Sequence, residues 1–281
     1  MPTFDTPEPV SAVVELVVGD VRITASDRDD TAVEIRPSDE SHEPDVRAAE
    51  QTRVEYSAGR LLVKTPRQRS LSLFGKPGSI DVTIGLPAGS QVYGDASAAA
   101  FHCAGRLGEC RLKTAAGDIQ VEHTGPLEVN TGAGAIVADR VTGPAEVSTG
   151  SGRVRLREID GTAVIKNSNG DSWVGEVGGD LRVKAANGSI SVDHAGSDVD
   201  ATTANGDVRI GGLTRGSASL KTSLGEIEVG VQAGTAARLD VHTQFGRIHN
   251  QLDASDGPGP SEQTVDVSAR TSYGDIVIRR S

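Results

Sequence analysis

Between Leu112 and Val229 the chain alternates apolar and polar residues in short runs broken by glycine, and the runs recur at a nearly fixed interval. "NSNGDSWV" at Asn167–Val174, "AANGSISV" at Ala185–Val192 and "TANGDVRI" at Thr203–Ile210 stand 18 residues apart. With the glycine of each as an anchor, the series is Gly117, Gly134, Gly152, Gly170, Gly188, Gly206, Gly225, Gly246 and Gly274, in steps of 17, 18, 18, 18, 18, 19, 21 and 28. Two residues after the anchors stand Ile119, Ile136, Val154, Ser172, Ile190, Val208, Ile227, Ile248 and Ile276. Four after stand Val121, Ala138, Leu156, Val174, Val192, Ile210, Val229, Asn250 and Ile278. These two positions share parity, so on a strand they face one way. The residues before each anchor alternate as well, as in "LRVKA" at Leu181–Ala185. No stretch of ten or more residues carries the helical period.

The pattern predicts an all-β fold, a single-stranded parallel β-solenoid with two short strands per coil of about 18 residues. One such coil cannot bury its apolar face alone; stacking buries it against the next, at about 4.8 Å per coil, so nine coils predict a rod of roughly 40 Å. Stacking puts residues one period apart on top of one another. Asn169, Asn187 and Asn205 then form a column whose amides bond along the stack. The glycine after each answers a turn that needs positive φ. Three before the anchor runs a second, inward column, Thr114, Thr131, Thr149, Asn167, Ala185, Thr203, Thr222, Thr243 and Thr271, whose hydroxyls are expected to bond the adjacent turn's backbone. Asp118, Asp171, Asp207 and Asp275 read as turn residues that bond nearby amides, not as calcium ligands.

Residues 1–100 read as irregular, wider coils that cap the rod and continue into it, with a hairpin around Ser57–Gly59 and a short helix near Asp45–Gln51. Residues 101–281 read as the regular solenoid. Phe245 and Tyr273, just before their anchors, suit a C-terminal cap, and "DASDGPGPSEQ" is a Pro/Gly-rich insertion between the eighth and ninth coils.

Composition narrows the function. Glycine is 34 of 281 residues and aromatics are 3%, which suits a narrow interior filled by Val, Ile, Leu, Ala and Thr. A formal net charge of −11 argues against a nucleic-acid partner, which selects a basic footprint. "MPTFDTPEPV" has neither a basic n-region nor an apolar h-region, and no run of 18 apolar residues follows, so a cytoplasmic protein is expected. The two cysteines, Cys103 and Cys110, read as a reduced pair.

No "HExxH", "GxSxG", Walker A or dinucleotide fingerprint is present, and no two histidines have metal-ligand spacing. The expectation is no enzyme and no cofactor. A β-helix carbohydrate enzyme would need carboxylates gathered on one outward face, whereas Asp and Glu here read as scattered singly. Three candidate contact regions remain. The loop 66–79 sets Arg67, Arg69 and Lys76 around Leu71, Leu73 and Phe74, which suits an anionic membrane surface or a protein partner, or else a plug over the solenoid end. Trp173, the sole tryptophan, falls on an outward position. Four before the anchors, Lys113, Lys166, Lys184 and Lys221 line an outward column that would suit a polyanion.

The recurring "TxxGDI" texture, with "GDVRITA" near the start and "TSYGDIVIRR" at the end, resembles the bacterial "putative adhesin" family, the toast-rack β-strand repeat, from about Val10 to Arg280. The resemblance implies a right-handed solenoid without catalytic residues, and links to membrane and envelope-stress systems. It points to a non-catalytic scaffold or protein-interaction module peripheral to the inner membrane face. A polysaccharide- or polyanion-binding rod is the alternative. Either form would be a monomer or an end-to-end homo-oligomer.

Overall fold

The computed structural model describes residues 2–66, 77–253 and 263–281. Strand fills most of them, and the one helix among the described residues is Glu43–Gln51. The chain forms a parallel β-solenoid and divides into two compact units, residues 1–139 and 140–281.

In the second unit each coil is a strand, a glycine corner and a second strand. First strands stack on first strands in parallel register, Ala163 on Leu181, Val199 and Ala218 in turn. Second strands do the same, Ser172 on Ile190, Val208 and Ile227. Alternation puts Ile165, Val183, Ile190, Val192, Val208 and Ile210 inside, all buried. No coil has a core of its own; each supplies half of the contacts its neighbours need.

The corners are built by the repeated letters. Asn187 Nδ2 donates to Asn169 Oδ1 at 2.9 Å and Asn205 Nδ2 to Asn187 Oδ1 at 2.8 Å. The threonine column is buried except at Thr243, and Thr203 and Thr222 donate to the carbonyls of Gly188 and Gly206, one coil away, at 3.0 and 2.8 Å. Asn167 takes the same place and sends its amide to Gly152 O and Gly170 O at 3.0 and 2.8 Å. Asp171 and Asp207 accept the N–H of Ser189 and Glu226 on the following coil, at 3.0 and 2.8 Å. The aspartates therefore tie coil to coil. Every anchor glycine except Gly246 sits at positive φ, Gly188 at 138°, and a Cβ there would lie 2.1 Å from Gly170 O. Two constraints thus exclude a side chain, the backbone conformation and the approach of the next coil.

The last coils do not stack in chain order. Gln263–Tyr273 lies between Gly216–Leu224 on one side and Thr235–Phe245 on the other. Ile276–Arg280 likewise separates Ile227–Val231 from Ile248–Asn250. The chain thus passes over one place, lays down the Gly246 coil, and returns to fill the gap. The side chains give the reason. The Gly274 coil turns Val265, Val267, Ala269, Ile276 and Ile278 inward and buries all five. The Gly246 coil carries Asn250 at a position that is apolar in every other coil. A coil with a polar inner residue costs less at the end of a stack than within it.

The first unit mixes ladders. Ser11–Ser26 and Gln91–Arg106, each 16 residues long, run parallel from Ser11↔Gln91 to Ala25↔Gly105. On its other side, Ser11–Ser26 pairs in parallel first with Arg60–Lys64 and then with Ser79–Pro87. Beyond these the pairing turns antiparallel. Arg53–Ser57 forms the expected hairpin with Arg60–Lys64 through Ala58 and Gly59, while Asp30–Pro37 adds to Ser79–Pro87 and Thr3–Asp5 to Asp30–Pro37. Phe4 and Tyr56 meet across these outer strands, ring centroids 5.2 Å apart. The helix falls where the sequence indicated, two residues earlier at its start, and buried Asp45 anchors it by accepting the Ser79 N–H at 2.9 Å. Phe101 is fully buried in the space left by Gly94, where a Cβ would lie 2.6 Å from its Cε1.

Candidate functional site

Because every second residue of a strand is committed to the core, contacts with other molecules fall to the outward columns. In the second unit, Arg155, Trp173 and Ser191 are adjacent in the outward register. The Arg155 guanidinium lies 4.7 Å from the centroid of the Trp173 ring, and Trp173 Nε1 donates to Asp193 Oδ1 at 3.1 Å. The indole lies along its own strand, over Gly175, where a Cβ would stand 3.1 Å from Cη2. The glycine of "WVG" answers first the Arg157 carbonyl of the preceding coil, 2.3 Å from that Cβ position, and then the ring.

Around Trp173 runs a shallow groove of about 450 Å³ lined by Arg157, Glu158, Gly175, Glu176, Asp193 and His194. Glu158 and Glu176 are register neighbours, so two carboxylates that look isolated in the sequence face outward on adjacent coils. Arg140 Nη1 pairs with Glu158 at 2.8 Å. His194 is the register neighbour of Glu176. Sequence reading missed this grouping, although Glu158, Glu176 and His194 stand 18 residues apart and the period was the signal that could have found them.

On the other strand face, Lys166 and Lys184 are direct register neighbours, Lys184 is followed by Thr202 and Lys221, and Lys221 by Arg270. Lys166 reaches Glu146 at 3.5 Å and Arg270 reaches Asp240 at 3.1 Å. Among the described residues, Lys184 and Lys221 make no ion pair. Lys113 lies in the first unit, beside a cleft of about 560 Å³. The contact loop cannot be placed: Arg67, Arg69, Leu71, Leu73, Phe74 and Lys76 lie outside the described residues.

That first-unit cleft is the second feature sequence reading missed. Tyr93 forms its wall, with Glu15, Asp95, Arg111 and Glu128 around it. Tyr93 Oη donates to Glu109 Oε2 at 2.9 Å, and Arg111 Nε donates to Glu109 Oε1 at 2.7 Å. Both bonds hold the Glu109 carboxyl below the usual carboxylate range, the Tyr93 bond first. Burial and the same carboxylate push the Tyr93 phenol up. The Arg111 guanidinium stands 6.0 Å from the Tyr93 centroid. Both cysteines are free and buried in this unit; the Cys103 contact and burial hold the Cys110 thiol well above its ordinary value, which keeps it an unreactive thiol. Among the described residues, no group of three or more His, Cys, Asp or Glu side chains is set to hold a metal ion, and no helix is long and apolar enough to cross a membrane.

The profile of a family described as Toastrack DUF4097 matches residues 13–279. No curated protein matches. Among solved structures, the chain is similar to a "putative cell adhesion protein" from Clostridium sporogenes, at 11% identity over 100% of this chain and 98% of that one, with a TM-score of 0.22. It is also similar to a "putative adhesin" from Bacteroides fragilis, at 11% identity over 99% and 95%, with a TM-score of 0.39.

Proposed function

We propose, from the premise that this chain belongs to the Toastrack DUF4097 family, that it is a non-catalytic scaffold whose outward strand faces bind a partner. The observation that carries this is the division within each coil. Inward columns are spent on the stack, while the outward ones hold a clamped tryptophan and two lysines without acidic partners among the described residues. In-register stacking sets the strands that carry such side chains at steps of about 4.8 Å, a backbone spacing already fixed before binding. The family suggests a non-enzymatic role.

The proposal extends to a cytoplasmic position beside the inner membrane in envelope-stress signalling. Its support is the family resemblance and the basic-apolar composition of the loop from Arg67 to Lys76. Co-sedimentation with phosphatidylcholine vesicles, with and without phosphatidylglycerol, tests it. Binding that needs the anionic lipid and disappears when residues 70–76 are deleted is expected; binding that survives the deletion, or is absent from the intact chain, overturns the membrane role.

A second reading, polyanion recognition, is favoured by Lys184 and Lys221, which make no ion pair among the described residues, in a chain of net charge −11. Lys184 has Lys166 as its register neighbour and Lys221 has Arg270, and like charges on neighbouring strands are unfavourable unless something answers them. Retention on a sulfated-polysaccharide column that falls with salt and is lost in Lys184→Glu/Lys221→Glu is the expected result. Equal retention of the variant would remove this reading.

A further inference from the structure

We infer that the Gly246 coil is a dimerisation surface, on which a second copy of this chain pairs head to head through Thr235–Phe245. The starting point is a contrast within one column. Ile190, Ile227 and Ile276 are at most 1% exposed, but Ile248, at the equivalent position of the Gly246 coil, is 45% exposed. Leu239 and Val241, inward on the same coil, are only half-buried. The described residues contain four exposed large hydrophobics, Leu224, Phe245, Ile248 and Tyr273, and all lie on the last three coils of the stack. Leu224, Tyr273 and Phe245 are consecutive in register, and the two rings stack at 4.8 Å. A contiguous apolar ridge of this kind on a monomer marks a contact surface.

Backbone and charge select the occupant. Phe245 O and Arg247 O accept from the Gly274 coil, so by alternation the peptide groups of Arg238, Asp240, His242 and Gln244 point the other way. Among the described residues no strand answers them. An antiparallel partner must therefore pair even-numbered residues with even-numbered ones. With a two-fold axis through Val241, Asp240 faces the second copy's His242, and Arg238 faces the second copy's Gln244. On the inward side, Val241 meets its own copy and Leu239 meets the second copy's Thr243. At the flank, the Phe245 ring meets the second copy's Ala237, a large residue against a small one. Moving the axis to Asp240 or His242 would set two carboxylates or two imidazoles face to face, and moving it to Leu239 would pair Arg238 with Asp240 but leave Phe245 beyond the strand overlap, so charge and the apolar ridge together choose the register. Asp240 already pairs through one oxygen with Arg270 of the adjoining Gly274 coil and keeps the other for the second copy.

The area suffices. The overlap in this register is residues 237–245 of the strand, about 30 Å long, and a coil with side chains on both faces is about 20 Å across, so roughly 600 Å² per copy is covered. The total of about 1,200 Å² meets the lower end of the range of stable interfaces. An isologous contact of this kind closes at two copies.

Sedimentation equilibrium of the full chain from 1 to 100 µM tests the assignment. The wild type should sediment as two chains of 29.1 kDa each. Val241→Lys sets two ammonium groups on the axis, and His242→Asp sets carboxylate against carboxylate twice; each should weaken the dimer at least tenfold. The swap Asp240→His/His242→Asp should restore it. Circular dichroism confirms that each variant is folded, and His242 is exposed enough for its variant to fold if Val241→Lys does not. A monomeric wild type at 100 µM overturns the inference, as does a dimer indifferent to His242→Asp or a swap that fails to restore it. Vesicle and polysaccharide results leave it untouched, since it uses a different surface.

Discussion

Gly188→Ala isolates what selects glycine at the corners. The residue sits at φ 138°, and a Cβ would stand 2.1 Å from Gly170 O and 2.5 Å from Gly170 C. The backbone conformation alone costs an L-residue about 1–3 kcal/mol. The overlap is with backbone, so it is relieved only by moving one coil off the next. That movement loosens Gly188 N–H to Asn205 O and Gly170 N–H to Asn187 O, both 2.8 Å, together with the amide ladder through Asn187. At about 1 kcal/mol for each weakened bond, the total loss is about 4–5 kcal/mol. Two other glycines separate the causes. Gly234 has φ 81° but nothing within 4 Å of its Cβ position, so Gly234→Ala carries the conformational strain alone, about 1 kcal/mol. Gly196 has ordinary φ and meets only contacts of 3.4 Å and beyond, so Gly196→Ala should be neutral or stabilise by up to about 1 kcal/mol. Urea unfolding followed by circular dichroism measures all three, and the Gly188→Ala melting temperature should fall by about 10–15 °C. If Gly188→Ala loses no more than Gly234→Ala, the close approach of coils is not what excludes a side chain there.

Ile190→Asp buries an unpaired charge and should cost about 4 kcal/mol, whereas Asp207→Ser should cost under about 1 kcal/mol, because Ser189 already fills that column and its Oγ accepts the Asp207 N–H at 3.3 Å; equal melting losses would contradict the inward and outward placement. Asn187→Ala removes two ladder bonds, of 2.9 and 2.8 Å, and should cost about 1–2 kcal/mol in urea; a loss below about 0.3 kcal/mol would mean the ladder follows from stacking without stabilising it. Glu109, held below its ordinary pKa first by the Tyr93 bond and then by Arg111, contributes stability that is present above the unfolded carboxylate value and lost as pH falls through the folded one. Carboxyl NMR titration should therefore move its midpoint upward in Tyr93→Phe, and an unchanged midpoint would remove the Tyr93 bond as the main cause.

The sequence by itself determined the coil. Period, parity and the turn glycine required two strands and a corner per lap, and the same letters stacked into the asparagine and threonine columns. These are local rules repeated, so one copy of the repeat suffices to state them. The wide coils and antiparallel additions of the first unit were legible only in part, through the hairpin at Ser57–Gly59 and the helix, because their strands lack a common period. Tertiary structure decided which side chains meet outside the core. Glu158 and Glu176 stand one period apart, Asp193 bonds the Trp173 indole from the following coil, and Tyr93 reaches Glu109; the period sets the register, while side-chain conformation decides which outward groups bond. It also decided where the chain stops stacking in order. Any parallel strand satisfies a backbone ladder, so the ladder cannot say which coil comes last; the cost of burying Asn250 does, and it leaves the Gly246 coil outermost with Ile248 in the open.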